Sequence, residues 1–334
     1  MSGDRQPFLR LRPGESLPAH LRGAVTAIGN FDGVHRGHQA VLSRALADAT
    51  AAGRPALALT FEPHPRVLFN PAMPLYRLTP ASMKARLLRH LGFDGVVELA
   101  FTADFAARSA EAFVADILVG ELGIAHAVTG FDFHFGHNRE GGPAYLMEAG
   151  KRHGFEVRLV DAFRDEGAEV ISSSRIRPLL ERGEVAAAAG LLGYRYTVEA
   201  EVIGGEKLGR TLGYPTANMA LPSDAGLAHG IYAVRFRRAD GSIHDGVASF
   251  GRRPTVTAEG VPLLETHLFD FEGDLYGETC QVSFFGHLRG EEKFEGLEAL
   301  VAQMDRDAAE ARALLAGARP LSELDLAVTF AASS

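Results

Sequence analysis

Residues 24–160 alternate between short apolar runs and longer segments whose apolar side chains recur at helical spacing. The run Ala-Leu-Ala-Leu-Thr-Phe at 56–61 is typical of a strand buried inside a parallel sheet. Five runs have the length of strands: 24–29, 56–61, 96–101, 125–130 and 156–160. Three segments between them are predicted helices: 37–52, 82–91 and 109–122. Strands that alternate with helices predict an open α/β sheet with right-handed crossovers.

The pattern changes after Tyr194, where apolar and polar residues alternate as in half-buried strands. The predicted strands are 196–203, 230–237, 247–250, 264–269 and 279–285. Short strands separated by turns predict a small antiparallel β-barrel. Residues 177–193 are predicted to form a helical connector, and the tail after Pro320 a short ordered or frayed end. A long C-terminal helix is predicted over 291–315, with an apolar face of Phe294, Leu297, Leu300, Val301 and Met304.

A chain of 334 residues favours two domains, at roughly 100–200 residues per domain. We expect a first domain over residues 1–183, a linker over 184–194 and a second domain over 195–334. The net charge of −8 gives no general attraction for nucleic acid or acidic membranes, so neither is expected as a partner.

Several features that the sequence lacks limit the cellular compartment expected for the protein. No run of about 18 apolar residues is present, so no membrane helix is expected, and residues 1–14 lack the apolar core of a signal peptide. The single cysteine, Cys280, excludes an intrachain disulfide and suits a reducing compartment. A cytoplasmic protein, monomeric or weakly oligomeric, is the expectation.

The segment from Gly29 to His38 follows the first predicted strand and opens a helix. The first N–H groups of a helix have no internal partner, so a strand, a tight turn and a helix N-terminus together form an anion site. His35 and His38 lie three residues apart and share a helical face, from which imidazoles can donate to phosphate oxygens. A single histidine near a helix start is more often a surface or capping residue. The pair could also bind metal, although no third ligand stands at suitable spacing.

Three further polar loops follow predicted strands, and in an open α/β sheet ligands bind beyond the carboxyl ends of the strands. These loops are Phe61–Pro65, Gly130–Gly136 and Ile171–Arg177. The last contains three serines, with Arg175 and Arg177 beside them to attract phosphate. Such a set predicts nucleotidyl transfer without a protein nucleophile. The alternatives without a catalytic role are that the serines form a loop or a helix cap and that His64, between two prolines, is structural.

In the second half, the segment from Gly204 to Asn218 contains glycines that allow a loop to fold over phosphate. Thr216 and Asn218 supply oxygen ligands that suit Mg²⁺ shared with a nucleotide. The segment lacks the Gly-Lys-Ser/Thr of a Walker A loop, and a glycine-rich loop between strands is most often only a turn. Glu265, on a predicted strand, is a candidate general base, although a lone glutamate is more often simply solvated.

Gly29-Asn-Phe-Asp-Gly-Val-His-Arg-Gly-His38 resembles the signature of the nucleotidylyltransferase module of bacterial bifunctional riboflavin kinase/FMN adenylyltransferases (FAD synthetases). Thr60-Phe-Glu-Pro-His-Pro65, Gly130-x-Asp-Phe-x-Phe-Gly136 and Ile171-Ser-Ser-Ser-x-Ile-Arg177 match further blocks in the same order. The resemblance implies a Rossmann-like nucleotidylyltransferase sheet. The family usually has threonine where this chain has Ser174, and often a basic residue where it has Val170.

The resemblance also implies roles for particular residues. His35 and His38 would contact the ATP phosphates and act in catalysis. The ATP-binding residues implied for this module are Gly29, Asn30, Phe31, Asp32, Gly33, His35, His38, Asp132, Ser173, Ser174 and Arg177. Those implied to bind flavin are Phe61, Pro63, His64 and Phe133.

Gly209-Arg-x-x-Gly-x-Pro-Thr-Ala-Asn218 resembles the riboflavin kinase module, together with residues 265–270 and 274–277 downstream. The resemblance implies that Thr216 and Asn218 bind Mg-ATP and that Glu265 binds riboflavin and activates its ribityl 5′-hydroxyl. The kinase residues implied to bind ATP are Gly204, Lys207, Gly209, Arg210, Gly213, Thr216 and Asn218. Both modules together imply synthesis of FMN from riboflavin and then of FAD from FMN, with ATP and Mg²⁺ in each step.

Two alternatives are weaker. Another nucleotidylyltransferase, such as a pantetheine-phosphate or cytidylyl enzyme, leaves residues 196–316 unexplained. A non-catalytic flavin- or nucleotide-binding regulator has no need of the residues kept at both sites, which are His35, His38, Thr216, Asn218 and Glu265.

Overall fold

A computed structural model describes residues 7–73, 75–204, 214–253 and 260–331 of the chain. The chain divides into two compact units. One consists of Met1–Leu75 and Thr79–Ser172, and the other of Tyr76–Leu78 and Ser173–Ser334. The domain limits expected from the sequence, at 183/184 and 194/195, stay a prediction.

The first unit contains a six-stranded sheet in which every strand runs parallel to its neighbours. The strands are β1 (Leu9–Leu11), β2 (Val25–Ile28), β3 (Ala56–Glu62), β4 (Gly95–Ala100), β5 (His126–Gly130) and β6 (Glu156–Val160). Their order across the sheet is β1-β4-β3-β2-β5-β6. The predicted α/β sheet is confirmed, and its strands end at one edge because they are parallel. β1, which has only three residues, was not predicted from the sequence.

The helices of this unit connect the strands. They are α1 (Arg36–Ala52), α2 (Pro65–Phe69), α3 (Ala81–Leu91), α4 (Ala103–Ala106), α5 (Ala110–Ala112) and α6 (Pro143–His153), with 3₁₀ turns at Ala19–Leu21 and His137–Arg139. The helix predicted over 109–122 is confirmed, with α5 continuing as a π-helix over Phe113–Glu121. α6 was not predicted. It begins with Pro143 in its first turn and ends at Gly154, which has φ 81°.

The second unit is a closed antiparallel barrel preceded by two helices, α7 (Ser173–Glu181) and α8 (Val185–Leu192). Its strands are β7 (Thr197–Ile203), β8 (Ala217–Ala220), β9 (Gly230–Arg237), β10 (Ile243–Arg253), β11 (Val261–Leu268) and β12 (Thr279–Arg289). The order around the barrel is β10-β11-β8-β7-β12-β9, and β9 closes on β10. Fully buried Tyr232, Phe236, Phe250 and Phe284 fill it. The predicted barrel is confirmed, but β8 lies where the sequence indicated only a loop.

The long C-terminal helix is present as α9 (Leu297–Gly317), six residues later than its predicted start. Gly296, with φ 104°, precedes it and interrupts the helical backbone. Of the predicted apolar face, Leu297 is 60% exposed, whereas Leu300, Val301 and Met304 are half-buried. The buried residues of α9 are Asp307, Ala311 and Leu315. The cost of burying the Asp307 carboxylate is offset by Arg289, which donates to both of its oxygens, at 2.9 and 2.7 Å.

The tail after α9 is ordered rather than frayed. It forms α10 (Glu323–Asp325) and a π-helix over Leu326–Phe330. The carboxylate of Asp325 is fully buried, forms an ion pair with Arg195 and accepts from the Thr329 hydroxyl at 2.9 Å. Buried Arg237 donates to the carbonyl oxygens of Val328 at 2.9 Å and Ala331 at 2.7 Å. These long-range contacts leave no periodic pattern in the sequence.

Candidate functional site

The loop after β2 has an unusual backbone. Phe31, Gly33 and Val34 have φ values of 49°, 90° and 37°, which only glycine adopts readily. The Phe31 ring is buried beneath the loop. A Cβ atom on Gly29 would lie 3.0 Å from that ring, so a larger residue there would push against Phe31. The loop shape is therefore set by packing before any ligand binds.

Asp32 and Thr79 fix this loop from one side. The Thr79 N–H donates to Asp32 Oδ1 at 3.1 Å, and the Gly33 N–H donates to Thr79 Oγ1 at 2.8 Å. The Asp32 side chain is buried. Its observed role is to shape the loop, and the ATP-binding role given by the resemblance stays a prediction.

His35 and His38 come together at the start of α1. His35 is the N-cap of the helix, and its Nδ1 accepts from the His38 N–H at 3.2 Å. The two imidazole rings stack with centroids 3.6 Å apart, and the His38 ring meets the Phe31 ring edge-on. A Cβ atom on Gly37 would lie 3.1 Å from His35 Nδ1, so a bulkier residue would disturb the pair.

The surroundings of His38 favour its neutral form. Burial lowers the pKa of His38 well below its usual range, and electrostatic interactions with His35, Lys84 and His64 lower it further. His38 Nδ1 and Asn30 Oδ1 are buried without a hydrogen-bond partner within the part of the chain that the structure describes. Buried polar atoms are normally paired, so these two fit a polar ligand at the loop.

The loop after β3 contains the predicted flavin residues Phe61, Pro63 and His64. Phe61 is buried, and its ring packs against Phe101, Phe105 and Phe113. His64 is the N-cap of α2, with its Nδ1 accepting from the Arg66 N–H at 3.1 Å. The Glu62–Pro63 peptide bond is cis. Phe61 and His64 thus have structural contacts, and their flavin-binding role stays a prediction.

The loop after β5 presents Asp132 and Phe133. Asp132 is exposed, and its Oδ1 would be 3.2 Å from a Cβ atom on Gly130. The half-buried Phe133 ring stacks on Phe135 at 5.5 Å. An exposed carboxylate and an aromatic ring therefore share the carboxyl end of β5.

Ser173, Ser174 and Arg177 lie on α7, so the loop predicted over 171–177 is helical from Ser173 onward. The Arg177 Nε donates to the Tyr76 carbonyl oxygen at 2.7 Å. These residues belong to the second compact unit, whereas His35 and His38 belong to the first. Their part in one ATP site stays a prediction.

In the barrel, strand register brings the predicted kinase residues together. Glu265 on β11 stands opposite Asn218 on β8 and Ser249 on β10. Side chains directly opposite each other in an antiparallel pair share a face, with Cβ atoms about 4.5–5.5 Å apart. The next pair, Leu264 and Met219, is fully buried and points into the core. Asn218 and Glu265 therefore share the outer face of the barrel.

Thr216 and Asn218 offer oxygen donors beside this glutamate. The Asn218 Nδ2 donates to the Thr216 carbonyl oxygen at 3.2 Å. Among the described residues, His, Cys, Asp and Glu side chains form no cluster of three that could hold a metal ion. Gly204 is exposed at the end of β7. Lys207, Gly209, Arg210 and Gly213 lie outside the described residues.

Two family models match the chain. The FAD synthetase model matches residues 17–175, and the riboflavin kinase model matches residues 192–315. A bifunctional riboflavin kinase/FMN adenylyltransferase of Pseudomonas fluorescens is 42% identical over 299 residues, covering 90% of this chain and 95% of the relative. The protein of the same name from Listeria monocytogenes is 40% identical over 294 residues, covering 87% and 92%.

The chain belongs to the bifunctional riboflavin kinase/FMN adenylyltransferase family. A crystal structure from Streptococcus pneumoniae, named as a macrolide-efflux protein, matches the fold with a TM-score of 0.79 at 29% identity. The match covers 91% of this chain and 98% of that one. Within the described ranges, no helix combines the length and the hydropathy that a bilayer-crossing segment needs.

The sequence did not indicate the side chains that hold the segment directly before Thr216. The Tyr214 hydroxyl donates to Asp305 of α9, and His267 Nδ1 lies 3.0 Å from the Pro215 carbonyl oxygen. Burial and the bond to Asp305 raise the pKa of Tyr214 to about 12. An open cavity of about 650 Å³ adjoins this segment, lined by Pro215, His267, Leu268, Asp270, Phe271 and Glu272. The Tyr-Pro pair directly before Thr216 was the available signal.

Proposed function

We propose that this chain makes both flavin cofactors in sequence. The barrel domain transfers the γ-phosphate of ATP to the 5′-hydroxyl of riboflavin and forms FMN. The α/β domain then joins the FMN phosphate to the α-phosphorus of a second ATP, forming FAD and releasing pyrophosphate. The observation that carries the proposal is that one chain matches both family models and keeps a separate polar site in each matched part.

In the adenylylation step the phosphate of FMN is itself the nucleophile. The protein has to position two phosphates and stabilise the negative charge that develops between them. Neutral His38 can donate one hydrogen bond to a phosphate oxygen, and His35, held by its cap contact, supplies a second imidazole beside it. The unpartnered Asn30 Oδ1 supports a role for Asn30 in holding the nucleotide.

In the kinase step Glu265 accepts the proton of the attacking hydroxyl. Its register with Asn218 supports this role, because the base then lies beside the residues proposed to hold Mg-ATP. Thr216 and Asn218 are the proposed metal-binding residues, since their oxygen donors suit Mg²⁺, which keeps most of its water and phosphate ligands. The metal supplies charge neutralisation of the phosphates when bound.

Other expectations belong to the same proposal. Enzymes that transfer phosphoryl or nucleotidyl groups from ATP generally need a divalent metal, and the proposed ion here is Mg²⁺. Riboflavin, FMN and ATP are the proposed ligands. We further propose a cytoplasmic monomer or weak oligomer that does not bind nucleic acid. The remaining predicted ATP- and flavin-binding residues keep the roles that the resemblance implies.

The test uses two variants of the full chain and separates the two steps by chromatography. Glu265→Gln should lose FMN formation from riboflavin and still convert supplied FMN to FAD. His38→Asn should do the reverse. Matched controls are Glu201→Gln, an exposed barrel glutamate, and His90→Asn, an exposed histidine of α3. If either active-site variant lost both steps while remaining folded, the two-site assignment would be wrong. Flavin binding by wild-type protein without any ATP turnover would indicate a regulator instead.

A further inference from the structure

Lys84 is a buried cation close to the adenylylation loop. Its side chain is 1% exposed, and its neighbours on α3 include buried Met83, Ala85 and Leu87. Burying a lysine costs free energy unless the charge is paired and hydrogen-bonded. An apolar side chain could occupy the same position without that cost, so the contacts of the ammonium group are what distinguishes Lys84.

The ammonium group joins two side chains at the end of β3. Lys84 Nζ donates to Thr60 Oγ1 and to Glu62 Oε1, each at 2.9 Å. The Thr60 hydroxyl in turn donates to the carbonyl oxygen of Asn30 at 3.1 Å. These bonds connect α3, through β3, to the main chain of Asn30. The side-chain oxygen of Asn30 is buried without a hydrogen-bond partner among the described residues.

The segment just before α3 holds the other half of the loop. Thr79 stands two residues before α3 and bonds to Asp32 and Gly33. The Lys84 N–H donates to the Pro80 carbonyl oxygen at 2.9 Å, within the first turn. The start of α3 therefore fixes the loop at both ends, at Asn30 through Lys84 and at Gly33 through Thr79.

We propose that Lys84 is a positioning residue for adenylylation, which holds Asn30 in place for ATP through the Thr60 hydroxyl. The inference rests on the proposed assignment of this loop to ATP. Lys84 has a second effect, because its charge is one of the influences that lower the pKa of His38 and keep that residue neutral. Both effects act on groups of the loop and its helix, and neither requires Lys84 to contact the substrate.

The test compares Lys84→Met, Thr60→Val and the double variant of the full chain. Each single change should lower kcat/KM for FAD formation from FMN by about tenfold to a hundredfold, the cost of a small misplacement. Both changes interrupt the same series of hydrogen bonds from Lys84 through Thr60 to Asn30. The double variant should therefore lose little more kcat/KM than the more impaired single variant. Binding of Mg-ATP alone, measured by calorimetry, should weaken in parallel. The matched control is Arg89→Met, an exposed cation of α3 that should keep wild-type kinetics.

The kinase step of the same chain and the unfolding midpoint separate positioning from simple destabilisation. FMN formation should stay within about twofold of wild type in every variant. Wild-type kcat/KM and ATP affinity in folded Thr60→Val, or fully additive losses in the double variant, would overturn the proposal. If Lys84→Met does not fold, the Thr60→Val variant alone tests the proposal. It removes the hydroxyl that links Lys84 to Asn30 and leaves the Lys84–Glu62 ion pair intact. A wild-type chain that binds ATP but forms no FAD would contradict the proposed function, while the binding measurements would still test Lys84.

Discussion

The imidazole rings of His35 and His38 stack face to face with centroids 3.6 Å apart, and His35 caps the helix on which His38 lies. Two imidazolium ions at this distance would repel each other strongly. Burial and electrostatic interactions with His35, Lys84 and His64 lower the pKa of His38, so the pair is held with His38 uncharged.

A pH dependence of stability follows from His38. An unfolded histidine has a pKa of about 6.5, whereas the folded value is lower. Between these two values the unfolded chain binds more protons, so the free energy of unfolding falls as the pH is lowered below about 6.5. The His38→Asn variant should lose less stability than wild type between about pH 7.5 and pH 5.5. Thermal unfolding of the α/β domain measures this, with His90→Asn as the control. An unchanged pH dependence would contradict the prediction.

Cys280 should be unreactive in the folded protein. The thiol is buried in β12, and burial together with the charge of Glu278 raises its pKa to about 11. Since the thiolate is the reactive form, labelling by a thiol reagent near pH 8 should be slow until denaturant is added. Rapid labelling of the native chain would show that β12 opens without global unfolding.

Asp325 should stabilise the barrel domain substantially. Replacing it by alanine leaves the largely buried Arg195 without its partner, and breaking a buried pair costs about 3–5 kcal/mol. Denaturant unfolding of the Asp325→Ala variant should show this loss. Glu323→Ala, an exposed change in the same helix, should differ little from wild type. Equal stabilities of the two variants would show that the ion pair contributes nothing.

Tyr214 should affect only the kinase step. Tyr214→Phe removes the hydrogen bond to Asp305 of α9, at about 0.5–1.5 kcal/mol, and loosens the segment that leads to Thr216. KM for ATP in FMN formation should rise about threefold to tenfold, with FAD formation from FMN unchanged. Glu201→Gln, the exposed barrel glutamate already used as a control, is the control here too. A fall in both activities would indicate general destabilisation.

The sequence predicted those parts of the molecule that depend on local periodicity. Most strands of the α/β sheet are short apolar runs, and the barrel strands alternate apolar with polar residues. His35 and His38 are neighbours because His35 caps the helix on which His38 lies three residues later. The pairing of Asn218 with Glu265 depends instead on strand register between distant segments. Lys84 meets Thr60 and Glu62 across 24 and 22 residues, which no local pattern encodes. A hint was present, because helical spacing places Lys84 on the same face as Leu87 and Leu88.

The docking of the tail by Asp325 and Arg237 affects how the barrel domain can be shortened. The riboflavin kinase match ends at residue 315, before the tail begins. Cutting there removes Asp325 from Arg195, and removes the carbonyl acceptors at Ala327, Val328 and Ala331 from the Arg237 guanidinium. The cooperative folding unit is thus longer than the region recognisable by homology. Isolated kinase domains should therefore extend to residue 331, and affinity tags belong beyond that point.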